Sequence, residues 1–350
     1  SQVDVADVET SLNAGTSVTI TTTGGGAEPG NITVTAPINK TAGGDAVLVF
    51  DADGNIDVQA TIAATTGQLG VTLDSNAGDV TVDSTITTNG GDFNVQNAAT
   101  YTGNAGVTTG GGAVAITTTG NQDYDDGAID AGAGNVTLTT TAGGTINEIS
   151  ENQTPKITTA GTFTADTQAG GSIGDGFAAG FDSNTDPTGL FDVDAAVLDL
   201  ETVGTGDINV MSHAAGGTQV DQAHADDGFP RIYTVGPMTL ADNAVLSADP
   251  TPGAGFIWLI SESTIDALNP GNLTVTTGAS ANARLDANGD IGTLANPLVV
   301  DTTGLFVLND RGPFDVGGGG SGSVYITNQR AGTTNITTMQ LDSGDAVIQA

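Results

Sequence analysis

The sequence predicts an all-β chain wound as a parallel β-solenoid of roughly 24-residue coils. Three observations predict it. The first is gapless self-similarity: "GNITVTAPI" from Gly30, "GNIDVQATI" from Gly54 and "GDVTVDSTI" from Gly78 recur at a spacing of 24 residues. The second is alternation: Ile32, Ile56 and Val80 are equivalent, as are Val34, Val58 and Val82, with polar Thr33, Asp57 and Thr81 between them. The third is composition, with 52 Gly among 350 residues and abundant Thr, Asn and Asp. These residues nearly exclude helices, and no long stretch repeats apolar residues at 3.6 spacing.

Each element follows from the repeat. Ile38, Ile62 and Ile86 supply a further inward position. A second strand register starts at Gly44 ("GDAVLVF"), Gly67 ("GQLGVTL") and Gly90 ("GGDFNVQ"), with Leu48, Val71 and Val95 as its apolar centres. Strands of about 5 residues cannot bury an apolar face alone. Stacking coil upon coil buries that face and pairs the backbone. At this period the chain makes roughly 14 coils.

The pattern continues less strictly, which divides the chain into three expected regions. Residues 1–210 read as regular solenoid. Residues 211–262 hold both histidines and Trp258, and predict longer loops or a lateral insertion. Residues 263–350 read as solenoid that continues beyond this segment, because "GDAVIQA" at the end is strand-like and its open edge invites a neighbouring chain. "GGSIGDG" at 170–176 and "NGDIGTL" at 288–294 are a second recurring element.

Charge narrows the function. Forty-one acids against six Lys plus Arg give a net charge of -35, so phosphate neutralisation and nucleic-acid binding are excluded. Cysteine is absent, which removes disulfides and thiolate metal sites. No apolar run has the length of a membrane-spanning helix. No signal peptide opens the sequence, so any export signal is expected outside it.

The run "AGTSVTITTTGGGAEPGNITVTAPINKTAGGDAVLVFDADGNIDVQATI" and the elements "GGSIG" and "NGDIGTLANPL" resemble the repeat region of large bacterial exoproteins related to filamentous haemagglutinin. The resemblance covers most of the chain and lies in repeat style. It implies a right-handed parallel β-helix, exported and displayed extracellularly at the bacterial cell surface. It also implies a fibre that adheres to host cells or polysaccharide, or that builds matrix. Related proteins often use a secretion domain with an Asn-Pro-Asn motif; Asn269-Pro270-Gly271-Asn272 departs from it at the third residue.

Candidate chemistry is sparse. "FDADGNID" places Asp51, Asp53 and Asp57 around Gly54 like the opening of a calcium loop. Its twelfth position, which should be a bidentate acid, is Ile62, so an acidic turn is the favoured reading. Asp123 and Asp125 in "DYDDGAID", with Asp286 and Asp290 in "DANGD", are further weak calcium candidates. His213 and His224 near Asp221, Asp226 and Asp227 suggest a two-histidine, carboxylate metal site, with loop histidines as the commoner case. Some parallel β-helices cleave pectin. Asn184-Thr185-Asp186, Asp226-Asp227 and Arg231-Ile232-Tyr233 resemble parts of their site, but the Gly-His-Gly element is missing.

The expectation is therefore a non-enzymatic rod that needs no cofactor, binds calcium weakly at most, and partners itself or its neighbouring segments end to end.

Overall fold

The computed structural model describes residues 1–22, 29–150, 154–174, 189–242, 244, 256–277, 282–309, 322–330, 335–341 and 344–349. The architecture is nearly all β, with one helix among the described residues, and parallel strands make about 11 turns of β-solenoid. Two compact units divide the chain: Ser1–Asn152 with Lys156–Thr164, and Gln153–Pro155 with Ala165–Ala350.

The first unit begins with α1 (Val5–Asn13), followed by β1 (Val18–Thr21), β2 (Ile32–Val34), β3 (Ile38–Lys40), β4 (Ala46–Ala52), β5 (Ile56–Val58), β6 (Ile62–Ala64) and β7 (Leu69–Ser75). Three stacks form. β1, β4 and β7 lead one, β2 and β5 the second, and β3 and β6 the third. All pair in parallel, so every residue sits on its equivalent in the next coil. The expected columns hold: Ile32 on Ile56 on Val80, and Ile38 on Ile62 on Ile86. From Ile56 to Ile86 these side chains are fully buried, so the alternation in sequence is the inside and outside of the coil.

The strict period ends after the third copy. Tyr101 follows Val80 in its column, and Gln122 follows Tyr101, each 21 residues on. Val71 pairs with Phe93, whereas Val95 lies on Leu73, which corrects the expected equivalence of Leu48, Val71 and Val95. Coil length changes at corners and also at register shifts inside strands, as between Val95 and Ala98 and between Asp130 and Gly132. The structure makes about 11 turns, where a uniform 24-residue period gives about 14.

Corners follow a chemical rule. Thr109 Oγ1 donates to Gly112 O at 2.6 Å, Thr140 to Gly144 O at 2.6 Å, and Thr202 to Gly206 O at 2.7 Å, with all three threonines buried. Each hydroxyl satisfies a carbonyl that the bend removes from the strand ladder. The glycine that receives it lies under the next corner. A Cβ on Gly134 would stand 2.1 Å from Gly112 O, so only glycine fits there.

The recurring Gly-Asn and Gly-Asp pairs have their own role. Asn31 Oδ1 accepts from Asn55 N–H at 2.9 Å, and Asn55 Oδ1 from Asp79 N–H at 3.1 Å. Asp92 does the same for Ala113 at 2.8 Å, and Asp207 for Phe229 at 2.8 Å. The side chain carries the coil-to-coil hydrogen bonding around a corner where backbone pairing is interrupted.

The helix was not expected from composition. Asp4 caps α1 by accepting from Ala6 N–H at 2.9 Å, Asp7 lies in its first turn, and Val8 and Leu12 are buried. It packs on β1, β3 and β4.

In the second unit, Val210, Ile232, Leu259, Leu285 and Val307 form one fully buried column. Between 211 and 262, strands Thr218–Ala225, Pro230–Thr234, Met238–Leu240 and Phe256–Ser261 pair in parallel with their neighbours. The "NGDIG" element places Ile291 as a single bridge between Ile265 and Val324, and "GGSIG" sets Ile173 on Ile208. Each is a core isoleucine held at a tight glycine corner.

Candidate functional site

Outward side chains of the second unit make its most distinctive cluster. Asn209, Arg231, Trp258, Arg284 and Phe306 occupy successive rungs of one outward column, and Met211, Tyr233, Ile260 and Asp286 the next. Parallel pairing brings together residues that lie far apart in sequence. The Arg284 guanidinium lies 4.2 Å from the centre of the Trp258 ring. Trp258 Nε1–H donates to Asp286 Oδ2 at 2.8 Å, and Arg284 grips both oxygens of Asp286, at 2.8 and 3.1 Å. Such a fork is geometrically specific as well as strong.

Burial sets the electrostatics. Met211, Tyr233, Trp258, Ile260 and Leu190 form a buried apolar cluster, with Phe256 and Val235 packed against it. Desolvation pulls the Arg231 guanidinium down to about 10, and nearby Asp207 opposes the shift. Burial also raises the Asp207 carboxyl, against the Phe229 N–H and Arg231. The Tyr233 hydroxyl is pushed up by burial first and then by its hydrogen bond to Glu262. Neighbours engage two of these groups directly: the Tyr233 hydroxyl donates to Glu262, and the Asp207 carboxylate accepts from Phe229 N–H.

The predicted calcium residues are dispersed. Asp51 points outward from the end of β4, accepting from Thr21 at 3.4 Å and Asn76 at 3.3 Å. Asp53 is exposed at the following corner. Asp57 lies on β5, in a different stack from Asp51, between Thr33 and Thr81. One Asp57 oxygen accepts from Gln59, and the other is buried without a hydrogen-bond partner. One free oxygen falls far short of the 6–8 that calcium takes.

Asp123 stands between Thr102 and Asn147 in its outward column. Asp125 uses its main-chain oxygen to accept from Lys156 Nζ at 2.6 Å and Ser150 Oγ at 2.9 Å. Asp286 is committed to Arg284 and Trp258, and Asp290 Oδ1 accepts from Ser323 N–H at 2.6 Å. Among the described residues, no three of His, Cys, Asp or Glu are grouped to hold a metal ion.

The histidines take separate acids: His213 bonds Asp192 at 3.1 Å and His224 bonds Asp226 at 2.9 Å. Of the pectinase-like elements, Asn184-Thr185-Asp186 lies outside the described residues. Arg231 belongs to the outward column, and Asp226 to His224.

Two features escaped the sequence reading. One is the buried corner threonine, whose signal is a Thr at or just past a strand end, three or four residues before a corner Gly. The other is the Arg–Trp–Arg column, which no local motif announces because its members are 26 or 27 residues apart.

Among the described residues, no helix is long and apolar enough to cross a membrane. Comparison with known proteins finds no protein family, no curated protein and no solved structure that matches this chain. What the structure itself shows is a parallel β-solenoid repeat protein.

Proposed function

We propose that this chain is a non-enzymatic rod segment of a bacterial fibre, displayed outside the cell, where it adheres or builds matrix. The observation that carries the proposal is the stack of buried columns within each unit, with outward faces in the first unit made of small polar side chains such as Thr33, Thr81 and Thr102. Such a stack is a mechanical element: backbone and corner Asx side chains hydrogen-bond one coil to the next, while the corner threonine hydroxyls brace the bend within a coil. The haemagglutinin-like repeat style supports the extracellular setting, and the net charge of -35 keeps neighbouring segments apart and attracts divalent cations diffusely.

Adhesion to a host-cell or polysaccharide ligand is the favoured activity. It is assigned to the second unit, which carries all four arginines of the chain and its only tryptophan. The test is saturable binding of the purified chain to immobilised neutral and acidic polysaccharides, with reducing ends assayed in the same samples. Binding without new reducing ends supports an adhesive rod. Release of reducing ends overturns it in favour of a polysaccharide-cleaving enzyme. Absence of binding leaves the purely structural rod, whose mark is matrix loss when these residues are deleted.

A further inference from the structure

In a parallel stack, a strand offers alternate N–H and C=O groups to the coil on either side. β3 gives one set to β6: Ile38 N–H donates to Thr61 O, and Lys40 O accepts from Thr65 N–H. The other set faces away from β6, where a further coil would pair. Here it meets α1. Glu9 Oε1 accepts from Asn39 N–H at 2.7 Å and from the Asn39 side-chain amide at 3.2 Å. Asn13 Oδ1 accepts from Thr41 N–H at 2.7 Å and Ala42 N–H at 2.9 Å. Ser17 Oγ takes Val47 N–H of β4 at 3.0 Å.

Two side-chain acceptors one helical turn apart, at positions 9 and 13, thus match two edge donors two residues apart, Asn39 on β3 and Thr41 just past its end. The match is geometric: a helix rises about 6 Å over four residues and a strand about 6.6 Å over two. Buried Val8 and Leu12 fix the helix in that register. A helix satisfies its own backbone internally and so presents no strand edge of its own.

We propose that α1 is an edge guard, in which Glu9 and Asn13 block parallel strand addition along β3 by a second copy of this chain. The guard restricts the rod's self-association to its other surfaces, and it goes beyond the proposed function. Lys40, buried on the inward side of the same strand, donates to Ala42 O and Thr66 O and holds the end of β3 extended under the helix.

The test compares the full chain with Glu9→Ala/Asn13→Ala and with Glu9→Gln, whose amide oxygen still accepts. Light scattering over a concentration series reads mass, and peptide-resolved hydrogen exchange reads residues 37–47 and, as a folding control, 62–75. Expected for the double variant is exchange in 37–47 faster by about tenfold at low concentration, with 62–75 unchanged. At high concentration its average mass should at least double (about twofold or more) relative to the wild type, and 37–47 should become protected again. Glu9→Gln should follow the wild type. Unchanged mass in the double variant overturns the proposal, as does association that leaves 37–47 unprotected. Loss of protection in 62–75 also overturns it, since α1 would then act by folding the coil rather than by guarding its edge.

Discussion

Val80–Val82 and Pro230–Thr234 are both single rungs of a parallel stack. The first alternates buried and half-buried residues, whereas the second is buried at all five positions. Ile208–Ser212 is likewise buried throughout. Strands in the first unit therefore have one apolar face and a polar outside. Those in the middle of the second unit have an inner column of Val210, Ile232 and Leu259 and an outer layer of Met211, Tyr233, Trp258 and Ile260. The same coil geometry serves both purposes. What differs is whether the outward residues meet water or one another.

The largest expected effect breaks the comparison at its outer layer. Trp258→Ala should cost about 3–5 kcal/mol in denaturant unfolding followed by far-UV circular dichroism. A cost near that of an exposed substitution would mean that the outer layer adds no packing.

Corner threonines should behave alike in both units. Thr109→Val and Thr202→Val each leave a buried glycine carbonyl without its hydroxyl donor, at a cost of about 1–3 kcal/mol. Unequal costs would show that the corners of the two units differ as their strands do.

A pH effect sharpens the contrast. The Asp199 carboxyl is raised by burial, then by Asp221 and Asp166. An acid raised in the folded state makes that state hold protons longer than the unfolded chain. Stability therefore falls as pH climbs from the ordinary carboxyl range through the raised folded value. Asp199→Asn should raise the melting temperature at neutral pH and flatten the profile above about pH 4. An unchanged profile would locate the cost in other carboxyls.

The smallest effect is expected where the first unit faces water. Asp57→Thr installs the residue that neighbouring coils carry at Thr33 and Thr81, and should shift stability by no more than about 0.5 kcal/mol. Calorimetric calcium titration of this variant should match the wild type. A lost binding event would return "FDADGNID" to the list of metal loops.

Much of the first unit was legible because its information is local. Ile32, Ile56 and Val80 could be superposed by eye, since alternation and a fixed period need no knowledge of what packs across the coil. The Gly54-Asn55 corner was legible as a turn, although its use of Asn55 Oδ1 to bond Asp79 N–H was not. Helix α1 left a signal that composition masked: Asp4 as cap, then Val5, Val8 and Leu12 on one face. A nine-residue helix is marginal alone and owes its place to docking on the coil.

By itself, then, the sequence determined a parallel stack of short strands with an aliphatic inside. Period-two alternation and glycine corners permit little else. Only the tertiary structure decided that Val71 rests on Phe93, because corner length changes are invisible to a fixed period. It alone decided that Arg231, Trp258 and Arg284 share a column and that Asp51 and Asp57 face different ways. Those outcomes depend on which residues coiling brings into register, and register is a property of the stack rather than of any one strand.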